Sequence, residues 1–367
     1  MPVEFIGYLA TRPHSEVVLP TGPIIDKAYI RTVTNAHEYG GFDRVLIAHN
    51  AASPDGFQTV AYAATVSERV GFMLAHRPGF VAPTLAARQL ATLDQFSDGR
   101  LAVHIISGGD DADQQRDGDF LTHDDRYARS DEYLDVVRRI WTSETPFDHE
   151  GRFYRVKGAH STIFPVQKPH LPIYFGGSSA AAIEVAAKHA DIYALWGESL
   201  AQVGETIARV RTAAARYGRA DKIRFSLSLR PILADTEAAA WARAEAILET
   251  ARSLQSRNTR FARRDAPANT GSLRLLETAA QGRVVDKRLW TAIAALTGAK
   301  GNSTALVGTP EQVTESLLDY YALGVSTFLI RGFHPLEDAV AYGRDLLPLV
   351  RAKIAERDAA EHDAAAA

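Results

Sequence analysis

The sequence contains no cysteine, so disulfides, zinc–thiolate sites, iron–sulfur ligation and thiol nucleophiles are all excluded. No run of about 18 consecutive apolar residues occurs, and no membrane span is expected. Neither G-x-G-x-x-G nor a Walker A pattern is present, which argues against the common dinucleotide and nucleotide folds. H-E-x-x-H and a His-x-His after the first strand are also missing, so no metal site is expected. Charge of one sign is not in excess either: Lys+Arg 41 against Asp+Glu 44 gives a net −3. A nucleic-acid partner, which needs a strongly basic face, is therefore not expected. Met1-Pro2-Val3-Glu4 shows no basic stretch leading into an apolar one, and the expectation is a cytoplasmic enzyme or binder of small molecules.

What is present is rhythm. Within 367 residues, short apolar, β-branched runs alternate with longer segments of three- and four-residue apolar spacing. The strand candidates are Glu4–Leu9, Arg44–Ala48, Val70–His76, Leu101–Ile106, Pro172–Phe175, Ile192–Trp196, Arg224–Leu233 and Thr327–Ile330. Helices are expected over Asp26–Tyr39, stopped by Gly40-Gly41, and over Pro83–Phe96, opened by proline. Thr309-Pro310-Glu311-Gln312 has the form of a capping box with a first-turn proline. Eight such strand–helix units fit a closed (β/α)8 barrel or a doubly wound open sheet. Their number and the missing glycine fingerprint favour an α/β chain folded as a single (β/α)8 barrel over residues 1–367.

Three stretches depart from the rhythm. Gly108–Thr122 is acidic, lacks an apolar period and reads as a loop after the fourth strand. Phe147–Lys168 reads as a hairpin outside the barrel. About Arg252–Gly308 is a long insertion rich in cations, including Arg260, Arg263 and Arg264. It suits a lid over the site, or a charged surface segment.

The chemistry of such a barrel sits where its strands end. Those positions offer His49, His76, Arg77, Ser107, Trp196, Glu198, Arg230, Arg331, Phe333 and His334. They are rich in cations and poor in carboxylates, which disfavours a two-carboxylate glycosidase. After the fifth strand, Gly176-Gly177-Ser178-Ser179 opens a helix. Glycines admit an anion to the backbone, serines donate hydroxyls and the helix N-terminus adds positive dipole. A phosphate cradle and an ordinary serine-capped turn both fit. Asp124 or Asp125 serves as a candidate cap for the next helix in sequence after the acidic stretch, and His104 is either an interior histidine or a site residue. Arg77-Pro78 and Arg230-Pro231 each place a fork suited to phosphate, carboxylate or sulfonate, or else a salt bridge across the barrel mouth.

Several of these runs resemble the bacterial luciferase-like flavin-dependent monooxygenases. The similarity lies in Phe80-Val81-Ala82-Pro83-Thr84-Leu85-Ala86-Ala87-Arg88-Gln89, Ala91-Thr92-Leu93-Asp94, Ser97-Asp98-Gly99-Arg100, His123-Asp124-Asp125-Arg126-Tyr127, Tyr174–Ser179 and Leu195-Trp196-Gly197-Glu198. It extends along nearly the whole chain, and the branch it points to is the two-component alkanesulfonate monooxygenases. The resemblance implies a barrel that takes reduced FMN from a separate NAD(P)H-dependent flavin reductase, uses O2 as co-substrate, and cleaves a C–S bond to aldehyde and sulfite. It implies a homodimer or homotetramer. It maps the flavin phosphate onto Tyr127, Gly177, Ser178 and Ser179, and the ring onto His104 and Ser107. A small anionic substrate would be held by Arg230 and Arg331, with Trp196 and Phe333 shaping the pocket and Lys300 adding charge from the lid. His334 and Arg230 are the catalytic candidates.

The chain departs from that branch at several points. Ser53 stands where a cysteine is used, Ser228 and Arg230 where strand seven carries arginine and histidine, and Phe333 where an aromatic hydroxyl follows strand eight. An arginine of the insertion is missing near Thr297–Lys300. The alternatives are a luciferase-like enzyme on a sulfone, an amine-carboxylate or a heterocycle, and a non-catalytic flavin-binding barrel.

Overall fold

A computed structural model describes residues 2–257 and 269–366. All eight expected strands are present: β1 Glu4–Tyr8, β2 Arg44–Ile47, β3 Gly71–His76, β4 Leu101–Ile105, β5 Ile173–Gly176, β6 Ile192–Trp196, β7 Arg224–Leu233 and β8 Val325–Ile330. Their order closes on itself as a parallel eight-stranded barrel with surrounding helices. The apolar runs are explained by burial on both faces: every residue of β3 is buried, as expected for a parallel strand covered by helices. The described residues fall into two compact units. One is drawn from Met1–Val45, Ala194–Ala208 and Arg224–Ala367, the other from Leu46–Tyr193 and Arg209–Ile223.

In the first unit β8 pairs with β1 and with the first half of β7. The ten residues of β7 outrun the barrel, and Arg230–Leu233 pair instead with a strand at Ala305–Gly308. That strand is joined by Leu289–Trp290 and Val284–Val285 in a small antiparallel extension. The described part of the insertion is thus ordered structure, with helices Thr270–Gln281 and Ala292–Thr297. Arg260, Arg263 and Arg264 lie outside the described residues. Helix Pro310–Ala322 begins with the expected capping box, Thr309 and Gln312 exchanging side-chain and backbone bonds.

In the second unit β3 pairs with β4, and β4 with β5, which aligns Ala75, His104 and Tyr174 across the strands. Helix Pro83–Phe96 and helix His123–Thr142 are joined by Trp141 Nε1 donating to Ala87 O at 2.9 Å. The hairpin Phe147–Glu150 and Arg155–Ala159 is present, tied down by Glu132, which accepts the amides of Phe153 and Tyr154 at 2.9 and 2.8 Å.

Two local expectations are corrected. Gly108–Thr122 is not a plain loop: Asp111–Arg116 forms a short helix with Asp110 as its N-cap. Its apolar period is absent because charge, not apolar packing, docks it. The cap of helix His123–Thr142 is Thr122, whose hydroxyl accepts the Asp125 amide, rather than either aspartate. Among the described residues no helix is long and apolar enough to cross a membrane.

Candidate active site

β5 delivers the chain into the glycine–serine turn of the second unit. Gly177 has φ +135, and a Cβ there would lie 2.7 Å from Ala182 Cβ and 2.8 Å from the Tyr127 hydroxyl. Only glycine meets both conditions. Ser179 caps the ten-residue helix Ala180–His189, accepting the Ala182 amide at 3.2 Å. The remaining amides of the first turn have no intrahelical partner. Tyr127 enters from the first turn of helix His123–Thr142, buried between His123 and Phe175. Burial raises its pKa, opposed by a hydrogen bond with Ser179. Gly177, Ser179 and Tyr127 are therefore brought together, with Ser178 half-buried between them in sequence. A turn of glycine, hydroxyls and helix dipole suits a phosphate ester, and the missing Cβ is what lets Ala182 and the Tyr127 hydroxyl close on Gly177.

His104 lies on β4, with Nδ1 buried and without a partner. Burial holds its pKa down at about 4, so the ring is neutral near pH 7. The Ser107 hydroxyl, beyond the end of β4, meets the Ser130 hydroxyl at 2.8 Å. His76 at the end of β3 contacts the Tyr133 hydroxyl at 2.6 Å, and burial with the neighbouring His49 lowers its pKa to about 4. Arg77 is paired with Asp113 at 2.7 Å and with Asp117 at 3.5 Å. Its salt-bridge reading is the one realised.

The first unit carries the cations expected to hold a substrate. Arg230 reaches Glu16 Oε1 at 2.7 Å with side-chain exposures of 0% and 3%, and donates to Gly332 O at 3.1 Å. Its guanidinium stacks 3.5 Å from the Phe333 ring centroid. Arg230 and Phe333 are thus both fully buried, and neither offers surface to a ligand. Arg331 shares the same Glu16 oxygen at 3.4 Å but keeps 23% of its side chain exposed, and lies over the Tyr8 ring at 5.1 Å. Burial pushes the Glu16 carboxyl upward, and the charges of Arg230 and Arg331 outweigh it, leaving a pKa of about 2. Glu16 was not singled out in the sequence. It lies 214 residues from Arg230, in a stretch without periodicity. The only sequence signal was an excess of strand-end arginines that had to find carboxylates.

His334 is half-buried at the N-cap of helix Pro335–Ala341, held by its amide donating to Asp338 at 2.9 Å. Trp196, at the end of β6, packs beside Leu275, Ala294 and Ala299, and Gly271 approaches its ring so closely that a Cβ would lie at 3.0 Å. Lys300 follows Ala299, whose carbonyl accepts Ser272 Oγ at 2.9 Å. The insertion thereby brings Trp196 and the Lys300 segment together. Glu198, also missed as a structural anchor, is buried with its pKa raised by burial, and Arg274 of the insertion holds it at 2.8 Å.

The family model of luciferase-like monooxygenases matches residues 3–327. The chain belongs to the luciferase-like monooxygenase family. Among solved structures the luciferase-like barrel described here is similar to EDTA monooxygenase (EmoA) from Chelativorans sp. BNC1, at 17% identity and TM-score 0.77, over 96% of this chain and 94% of that one. It is similar to riboflavin lyase (RcaE) with modified FMN and substrate riboflavin, at 18% identity and TM-score 0.77, over 96% and 92%. It is also similar to an F420-dependent secondary alcohol dehydrogenase in complex with an F420–acetone adduct, at 15% identity and TM-score 0.69, over 95% and 99%. At such identities the likeness is one of fold, and the cofactor and substrate of this luciferase-like chain rest on its own residues.

Proposed function

We propose that this luciferase-like monooxygenase uses reduced FMN, delivered by a separate NAD(P)H-dependent flavin reductase, and O2 to oxygenate an organosulfonate-type substrate, with C–S cleavage to aldehyde and sulfite. The observation that carries the cofactor is the turn at Gly177, where glycine is obligatory and Ser179, Tyr127 and a helix N-terminus are brought together, with Ser178 between them in sequence. Bound there, reduced FMN supplies the electrons that activate O2. His104, neutral by burial, and Ser107 would line the ring, and a site closed to water strengthens every polar contact within it.

For the substrate, Arg331 is the cation with surface to spare, and it would bind the anionic headgroup. Arg230 would act through Glu16 by fixing Arg331, and Phe333 by stacking on Arg230. Trp196 would wall the pocket and Lys300 would add charge from the insertion, read as a lid over about 252–308. His334 would accept the hydroxyl proton given up as the C–S bond of the oxygenated substrate breaks to aldehyde and sulfite.

The test is turnover of a panel of sulfonates with a flavin reductase, scoring sulfite. Arg331→Ala is expected to raise the substrate KM by about tenfold or more, the scale of a lost charged hydrogen bond, with FMN affinity unchanged. His334→Ala is expected to lower kcat by about 10²–10⁴. Unaltered kinetics in both variants would remove these assignments.

A further inference from the structure

Gln114 is a fully buried side chain whose carboxamide oxygen and nitrogen both lack a hydrogen-bond partner. It lies within helix Asp111–Arg116, which has no apolar side chain larger than alanine. Charge fixes this helix instead. Arg77 holds Asp113 at 2.7 Å, Arg126 holds Asp111 at 2.6 Å, and the Ala51 amide donates to Asp113 at 3.2 Å.

The carboxamide is pressed onto the backbone just past the end of β4. Gly108 there has φ +93, and a Cβ would lie 1.6 Å from Gln114 Nε2. Two more buried atoms of the same unit also end without partners, His104 Nδ1 on β4 and His49 Nε2 just past β2. Buried polar groups are almost always satisfied, and an unsatisfied one calls for a reason.

A carboxamide offers one donor and one acceptor side by side. Its complement is a planar ring edge bearing adjacent C=O and N–H groups, an imide or lactam. A sulfonate, a phosphate or an alkyl chain has no such edge. A helix held by side-chain ion pairs can shift without unpacking an apolar core. We propose that Gln114 is a binding residue for the imide edge of the flavin ring, an assignment that rests on the flavin reading above. It sets the ring's in-plane position while the Gly177 turn takes the phosphate.

The experiment titrates the full chain with FMN and with N3-methyl FMN, which lacks the ring N–H, following flavin fluorescence, and records melting of the ligand-free protein. The wild type is expected to prefer FMN by about tenfold, the scale of one hydrogen bond left unmade in a buried site. Gln114→Leu is expected to bind FMN about tenfold more weakly and to lose the preference. Its ligand-free melting temperature should equal or exceed that of the wild type, because two unmet hydrogen bonds are removed. Gln114→Glu, which keeps the shape and the acceptor for the ring N–H but loses the donor to the neighbouring C=O, is the second variant; it should bind FMN more weakly and still prefer it over N3-methyl FMN. A Gln114→Leu protein that melts lower and weakens both flavins equally would mark a structural role and overturn the assignment, as would an intact preference for FMN in Gln114→Leu or a lost one in Gln114→Glu. No FMN binding by the wild type would instead overturn the flavin reading itself, and this inference with it.

Discussion

Gly177→Ala is expected to weaken FMN binding by about a hundredfold. The added methyl would lie 2.7 Å from Ala182 Cβ and 2.8 Å from the Tyr127 hydroxyl, so it forces apart the two groups that close the turn proposed to hold the phosphate. The backbone cannot relax to avoid it, because φ +135 is a conformation in which a non-glycine residue costs about 1–3 kcal/mol. Ala182 and Tyr127 must then give way, which disturbs the first turn of helix Ala180–His189 and the hydroxyl beside it. Ser179→Ala is the milder comparison. It removes the cap on the Ala182 amide at a cost of about 1 kcal/mol, together with one hydroxyl of the cradle, and leaves the backbone in place. Titration of both variants with FMN and with riboflavin separates the contributions. The Gly177→Ala loss should be large for FMN and small for riboflavin, which has no phosphate. Equal losses for both flavins would place the phosphate elsewhere.

The second large effect is on stability. Glu16→Gln leaves the guanidinium of Arg230 buried without its counter-charge, and losing one member of a buried pair costs about 3–5 kcal/mol. Arg230→Met leaves the Glu16 carboxylate with Arg331 as its remaining partner and should cost less. Glu16→Leu combined with Arg230→Met removes both charges and is expected to recover most of the loss, as apolar replacement of a whole buried pair often does. The pH dependence follows with a definite sign. The folded Glu16 pKa of about 2 lies below the ordinary 4.5, so its contribution is fully present above pH 4.5 and is lost as pH falls toward 2. His37, His76 and His104, each held by burial at about 4, act in a separate window. They favour the folded state above their ordinary 6.5 relative to lower pH, and that advantage is lost between 6.5 and 4. Acid unfolding of wild type and Glu16→Gln should therefore run parallel from pH 6.5 to 4.5 and converge below it. A constant gap down to pH 2 would contradict the depressed carboxyl.

The barrel was legible because its information is local. β3 and β4 are apolar runs but for one histidine each, the capping box at Thr309 is written in four consecutive residues, and the cradle is a run of two glycines and two serines. The site was only partly legible because half of its electrostatics is not local. Glu16 meets Arg230 across 214 residues of sequence, and the strand ends read as unpaired cations until a carboxylate from an aperiodic loop arrives among them. Of the two readings open for Arg77 the salt bridge is the one realised, and its partners Asp113 and Asp117 likewise come from elsewhere, the acidic stretch after β4. That stretch hid its helix because a six-residue segment docked by ion pairs carries no apolar period to detect. The extension of β7 by Ala305–Gly308 was masked for another reason: a parallel pairing is specified by neighbours far along the chain, not by the strand itself.

The most direct test of the account is anaerobic titration of the protein with reduced FMN, followed by admission of air in the presence of a sulfonate panel. Saturable binding of reduced FMN that Gly177→Ala weakens strongly is expected, and sulfite release with at least one panel member once O2 is present. Failure of the wild type to bind reduced FMN would contradict it.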